Sequence, residues 1–383
     1  MSKLFSWEGI IMNMPLSVPE EIYLACRYFL PRILFWQSEW GDLAIALSDF
    51  PKDCTDISTP EFWEHWMKGW SKLGDRYVAQ AETCSYKMGQ RHLFRSATSC
   101  YHWAEFMYFS DSAQKSALRQ CVKDYFLKSW DENVRLLNPG KIEWNGVVIP
   151  YYLLLPDNVD PHQPLPCVIL SNGLDSVTEV EVITFAEHFV NRGFAAFLFD
   201  GPGQGINLGR SPIPVNFEEV VASIVDTLSA DARIDENQLG FFGVSFGGYI
   251  ALRVAKHLGN KFKAVVNLSG GPYITPFDKM KRRLKEDFQY AFMEPEKNAM
   301  PDLFDRLTLD ISGGCETNVL SIHGELDDIF PVRGIQELDR KWGARHQAIV
   351  YEQEVHVCLN QINQYIVTIA DWMGSQLAPE KTV

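Results

Sequence analysis

The chain has 383 residues, 46% of them hydrophobic, and a formal charge of -14, which suits one large domain plus a smaller one with a core of ordinary size. That charge argues against a nucleic-acid partner, because phosphate binding needs a positive surface. No apolar run approaches the roughly 18 to 20 residues of a membrane helix; the longest candidates, such as Val147 to Leu155, are broken by Pro150 and by tyrosines.

The opening stretch, Met1 to Leu16, carries Glu8 among its apolar residues and lacks a small-residue cleavage site, so secretion by a signal peptide is not expected. From there to about residue 135 the pattern is helical. Phe62, Trp63, Trp66 and Trp70 recur at three and four residues, as do Phe94, Ala97, Tyr101, Ala104 and Tyr108. This first half holds eight of the eleven tryptophans. The Trp63, Trp66, Trp70 series reads as core in preference to a substrate box, yet so much aromatic surface also leads us to expect this half to cover a site and supply substrate contacts.

From Ile142 onward, short apolar runs alternate with helical stretches, the signature of a mostly parallel sheet covered on both faces. Eight strands are expected, near Ile142–Val147, Ile149–Leu155, Cys167–Ser171, Ala195–Phe199, Leu239–Val244, Ala264–Leu268, Asn318–Ile322 and Ala348–Glu352. Asn145-Gly146 joins the first two as an antiparallel hairpin. Helices are expected at Glu179–Asn191, Phe217–Ala230, Gly247–His257, Val332–Trp342 and Asn360–Trp372. Between the sixth and seventh strands, Pro272 to Cys315 is too long for a simple crossover and is expected to hold lid helices over the site. Its basic run, Lys279 to Lys285, reads as a solvated helix face.

Chemistry concentrates at the strand ends. Gly243-Val244-Ser245-Phe246-Gly247 follows the fifth strand and opens a helix, the setting in which a serine sits on a strained turn with its hydroxyl exposed. Serine is a poor nucleophile at neutral pH and needs a histidine base, itself oriented by an acid. In this arrangement the chain order is Ser, acid, His. Of the three histidines beyond the sixth strand, His323 ends the seventh strand before the acid, and His346 precedes the eighth strand at the wrong end of the sheet. His356, just after that strand, is left. The acid lies in the turn Gly324 to Pro331, where Glu325, Asp327 and Asp328 compete. An oxyanion needs backbone N–H donors; Phe246 follows the serine, and Leu174 lies in the loop Ser171 to Asp175. Asp200-Gly201-Pro202-Gly203-Gln204-Gly205 fails the dinucleotide spacing and reads as a structural turn.

Eight cysteines (Cys26, Cys54, Cys84, Cys100, Cys121, Cys167, Cys315, Cys358) show no C-x-x-C pair and no zinc-ligand spacing. They read as buried free thiols in a reducing compartment, so a cytoplasmic location and no metal are expected.

Ser171-Asn172-Gly173-Leu174-Asp175, Asp200 to Gly205, Gly243 to Gly248 and Val355-His356 together carry a resemblance. The chain resembles the α/β-hydrolase family that includes 2,6-dihydropseudooxynicotine hydrolase, fungal yellowish-green pigment-pathway polyketide hydrolases and the fermentation/respiration switch protein. The stretch Gly89 to Phe109 is similar to that family's N-terminal cap domain, which implies a cap over residues 1–137 and a hydrolase core over 138–383. By resemblance to the family's G-x-x-D-x-x-x-P turn, Asp327 is the acid. The resemblance implies a cofactor-free enzyme, often a homodimer, acting on a small-molecule substrate and cleaving a carbon–carbon bond beside a carbonyl, or an ester, in a polyketide-like or aromatic ketone of secondary metabolism. Acyl transfer or cyclisation on the same acyl-serine, and a catalytically silent binding protein, are the competing expectations.

Overall fold

The computed structural model describes residues 18–131, 137–157 and 163–377. By contacts the chain divides into two compact units, Met1–Ser129 and Trp130–Val383.

The first unit is helical in its described residues: α1 (Glu20–Cys26), α2 (Leu30–Phe35), α3 (Trp40–Ala46), α4 (Pro60–Thr83), α5 (Lys87–Glu105) and α6 (Ser112–Ser129). Helix α4 starts where Thr59 accepts the Phe62 N–H and Pro60 occupies the first turn, both favourable at a helix start. Its tryptophans form this unit's own core. Trp63, Trp66, Trp70 and Trp103 are fully buried; the Trp66 indole donates to the Trp103 carbonyl at 2.7 Å, and Trp63 packs edge-on to Phe106. A buried carboxylate, Glu105, sits between Lys115 at 2.5 Å and Arg119 at 3.1 Å, ion pairs that hold α5 to α6.

The second unit is an eight-stranded sheet in the order β1-β2-β4-β3-β5-β6-β7-β8. The strands are β1 (Leu137–Trp144), β2 (Val147–Leu154), β3 (Leu165–Ser171), β4 (Ala195–Phe199), β5 (Ile234–Val244), β6 (Ala264–Leu268), β7 (Asn318–Gly324) and β8 (His346–Tyr351). β1 and β2 pair antiparallel, β2 runs antiparallel to β4, and the rest are parallel. Asn145 and Gly146 make the hairpin turn with φ of 48° and 79°, the left-handed pair of a type I′ turn. Every residue of β4 and β6 is buried, as expected where helices cover both faces. The covering helices are α7 (Ile183–Val190), α8 (Glu218–Ser229), α9 (Phe246–His257), α12 (Val332–Trp342) and α13 (Ile362–Leu377); α10 (Arg282–Phe292) and α11 (Met300–Leu307) lie in the insertion after β6. This is the α/β-hydrolase fold.

Several strand boundaries depart from the sequence reading, and β1, β5 and β8 show why. β1 begins at Leu137 and runs through Pro139 and Gly140, tolerable because it is an edge strand. β5 begins at Ile234, and its first polar residues extend past the core. β8 begins at His346, whose ring is buried against Ser321 of β7 and Asp339 of α12.

Candidate active site

The sheet order reverses between β3 and β5: the chain leaves β3 for β4 on one side and β5 for β6 on the other. In open parallel sheets such a crevice at the carboxyl ends of the strands is where ligands bind. Ser245 stands there, between the end of β5 and the start of α9, with φ 58° and ψ -118°. A left-handed backbone at a non-glycine residue costs about 1 to 3 kcal/mol and has to be held by its surroundings. The Ser245 N–H is tied to the Leu268 carbonyl at 2.7 Å. The turn closes so tightly that a Cβ on Gly243 would stand 1.9 Å from the Gly247 carbonyl oxygen, and one on Gly247 would stand 2.4 Å from that of Ser171. The G-x-S-x-G spacing is therefore a packing requirement of this turn.

His356 follows β8, and its Nε2 lies 2.7 Å from Ser245 Oγ; its Nδ1 lies 2.7 Å from Asp327 Oδ2. With Nδ1–H donating to the carboxylate, Nε2 is left as the acceptor for the serine hydroxyl. Asp327 is turned inward: its Oδ1 accepts the N–H groups of Ile329 and Phe330, both at 2.9 Å. Burial pushes the Asp327 carboxyl up, but His356, His323 and the Phe330 N–H outweigh burial and hold it below its ordinary value of 3.8. Asp328 instead faces solvent and pairs with Lys281 at 2.8 Å; Glu325 is exposed. The loops bearing the acid and the histidine are stitched together by Glu325 N–H to Tyr351 O and Leu326 N–H to Glu354 O. The histidine loop itself carries left-handed φ at Val357 and Cys358, steadied by Val357 N–H to Ser269 Oγ at 3.0 Å and Tyr365 Oη to Val357 O at 3.1 Å.

Leu174 lies in the loop after β3, and Phe246 directly follows the serine. The site where a Cβ on Gly173 would lie is 3.5 Å from the Ser245 Cβ, so this loop runs beside the hydroxyl. Phe246 is the first residue of α9, where a backbone N–H has no partner inside the helix. Among the described residues neither the Phe246 nor the Leu174 N–H donates to another protein group. The Phe246 ring is held by Phe288 and Phe292 of α10, at centroid distances of 6.2 and 5.9 Å, so the insertion after β6 packs directly on the turn.

Several side chains besides the serine, histidine and acid brace this site. Asp200 and Gln204, in the turn read as merely structural, hold the loop after β3: the Asn172 amide donates to Asp200 Oδ1 at 3.0 Å, the Thr178 hydroxyl donates to the same oxygen at 2.7 Å, and the Gln204 amide donates to the Asn172 carbonyl at 3.0 Å. His323 is buried behind the acid, its Nε2–H donating to the Phe330 carbonyl at 2.8 Å while standing 3.7 Å from Asp327 Oδ2. No spacing motif marks Thr178 or His323 for this role; only the folded turns bring them to Asp200 and Asp327.

A second serine, histidine and aspartate chain lies elsewhere in the sheet. Ser321 Oγ is 2.8 Å from His346 Nε2, and His346 Nδ1 is 2.7 Å from Asp339 Oδ1. Its serine is wholly buried and also accepts from the Asn267 amide at 3.1 Å. With no access for a substrate this chain ties β6, β7, β8 and α12 together. Access, and not the contact order alone, separates the two constellations.

A family model described as Esterase FrsA-like matches residues 65–283, and one described as Prolyl oligopeptidase family matches residues 214–380. Among curated proteins, 2,6-dihydropseudooxynicotine hydrolase of Paenarthrobacter nicotinovorans is 26% identical over 88% of this chain and 89% of that protein. The 20-hydroxy-prefusarin hydrolase FUS2 of Gibberella moniliformis is 28% identical; there the match takes in 54% of this chain and only 52% of the relative, about half its length. Among solved structures, that of 2,6-dihydroxy-pseudo-oxynicotine hydrolase superposes with a TM-score of 0.78 at 23% identity, over 92% of this chain and 97% of the other. At that identity the likeness speaks for the fold.

Proposed function

Because the chain belongs to the FrsA-like esterase family, whose model spans more than half of it, we propose that it is a serine hydrolase in which Ser245 is the nucleophile, His356 the general base and acid, and Asp327 the residue that orients the histidine. We propose further that it cleaves a carbon–carbon bond beside a carbonyl, or an ester, in a polyketide-like or aromatic ketone. The observation that carries the reading is the unbroken contact chain, 2.7 Å from Ser245 Oγ to His356 and 2.7 Å from His356 to Asp327, mounted on a strained turn at the sheet's switch point.

The steps follow from that geometry. His356 Nε2 takes the serine proton as Oγ adds to the substrate carbonyl, and Asp327 stabilises the imidazolium that forms. The new alkoxide meets the N–H groups of Phe246 and Leu174; one such donor is worth about 2.7 to 4 kcal/mol in a water-poor site. In a 1,3-dicarbonyl the bond between the attacked carbon and its α-carbon then breaks, the electron pair leaving as an enolate that takes the proton back from His356. Water, deprotonated by His356, attacks the acyl-serine and releases the acid. The products are a shortened ketone and a carboxylic acid, one water consumed. An ester passes through the same states with an alcohol as leaving group. The names of the relatives, hydrolases of a nicotine derivative and of a prefusarin, support a carbonyl-bearing small molecule as substrate. Residues 272–315 are assigned the role of a lid, on the strength of the Phe288 and Phe292 contacts with Phe246.

The test compares kcat/KM for a 1,3-diketone and for an alkyl ester of equal size. The diketone is expected to be turned over better, giving the shortened ketone and the acid by mass spectrometry. Rearranged products of unchanged mass would move the reading to a cyclase.

A further inference from the structure

Far from the serine in sequence, the helical unit gathers three metal-ligating side chains of three kinds. The Cys54 thiol, the Glu61 carboxylate and the His65 imidazole each place one ligand atom within 4.8 Å of the other two. Glu61 and His65 stand four residues apart on α4, hence on one face of the helix. Cys54 comes from the loop before that helix, and the loop is fixed independently of any ligand. Cys54 N–H donates to Pro51 O at 3.1 Å, the Ser58 N–H to Asp56 Oδ1 at 2.9 Å, and the fully buried Trp63 anchors Ile57 O through its indole N–H at 2.8 Å. The donors are thus presented by a rigid frame, and Cys54 and His65 are half-buried.

From this arrangement we infer that Cys54, Glu61 and His65 form a binding site for a zinc-type divalent ion that staples the 51–59 loop to the first two turns of α4. A tetrahedron with bonds of about 2.0 to 2.3 Å has edges of about 3.3 to 3.7 Å, so rotamer adjustments close the site around the ion, with water as the fourth ligand. The mixed thiolate, imidazole and carboxylate set selects zinc or cobalt over magnesium or calcium, which want oxygen alone. Asp53 and Asp56 lie beside the thiol without ligating; burial, Glu61, Asp53 and Asp56 all push the Cys54 thiol up, so the ion has to displace a proton that these surroundings favour. On binding, the metal–sulfur bond replaces the S–H bond and the proton passes to solvent. The C-x6-E-x3-H spacing falls outside the usual cysteine and histidine zinc patterns, so the folded loop is needed to expose it.

The experiment titrates Co2+ into the full-length chain, reduced and stripped of metal by a chelator. One equivalent is expected to bind with a near-ultraviolet thiolate-to-cobalt charge-transfer band and visible bands of four-coordinate intensity, both abolished by Zn2+ in slight excess. Cys54→Ser should remove the charge-transfer band, and Glu61→Gln and His65→Gln should each weaken binding by about tenfold or more. Zinc should raise the melting temperature of the unaltered chain and leave that of Cys54→Ser where it was. Should Cys54→Ser fail to fold, the two helix variants decide the matter alone. Absence of the band, its survival in Cys54→Ser, or cobalt affinity indifferent to both helix variants would overturn the assignment.

Discussion

At the scale of single residues, neighbours that composition treats alike take different places. Asp327 and Asp328 are adjacent carboxylates, but the first is buried, accepts two backbone N–H groups and holds His356, while the second is exposed against Lys281. Asp327→Asn is expected to lower kcat by about 10⁴, through the wrong imidazole tautomer. His356→Ala should cost more, about 10⁶, because base and acid both vanish. Asp328→Asn should leave kcat within a factor of two or so, since a surface ion pair contributes little. Steady-state kinetics on one substrate, with circular dichroism to check folding, reads all three. The choice of Asp327 comes from the resemblance of its turn to the family's G-x-x-D-x-x-x-P pattern, and not from the residues of the turn alone. His323 was read only as a strand-ending residue, because its closeness to Asp327 depends on how the turn folds back.

At the scale of elements, the serine turn is braced from outside the motif that announces it. Phe288, in α10, is buried against Phe246, whose N–H is assigned to the oxyanion. Phe288→Ala removes a buried ring, at a cost of about 3 to 5 kcal/mol in stability. Below its lowered melting temperature the variant is expected to lose kcat by about tenfold or more with a smaller change in KM, because a donor that has shifted fails mainly at the transition state. Equal losses in both parameters would detach α10 from catalysis. The core strands were legible because buried parallel strands read as plain apolar runs, as in β4 and β6. The starts of β1, β5 and β8 were not: Pro139 and Gly140, the polar run from Asp235, and His346-Gln347 all suppress a strand signal where an edge or an outer end tolerates them. The bracing by Asp200, Gln204 and Asn172 was hidden for a different reason, since long-range side-chain bonds leave no periodicity.

At the scale of the whole molecule, buried histidines tie stability to pH. Burial pushes the imidazoles of His323 and His346 below their ordinary value of 6.5, in each case against the pull of a neighbouring carboxylate. The unfolded chain then takes up protons near pH 6.5 that the folded chain takes up only at lower pH, so stability falls as pH drops below that value. The melting temperature is expected to decline from pH 7 toward pH 5, and His346→Gln should flatten the decline; one histidine supplies at most about 1.4 kcal/mol per pH unit. Asp327 acts in a lower window. Its carboxyl is depressed, so its contribution is present above its ordinary value of 3.8 and is lost as pH falls through the folded value. A melting temperature that stays flat, or rises, between pH 7 and pH 5 would contradict the histidine assignment.

The central claim, that Ser245 is the nucleophile, is tested most directly by labelling the native protein with an organofluorophosphonate and locating the adduct by peptide mass spectrometry. A single adduct is expected, on the peptide carrying Ser245, formed within minutes and lost in His356→Ala. An adduct on Ser321 or any other serine, or a folded protein that takes no label, would contradict it.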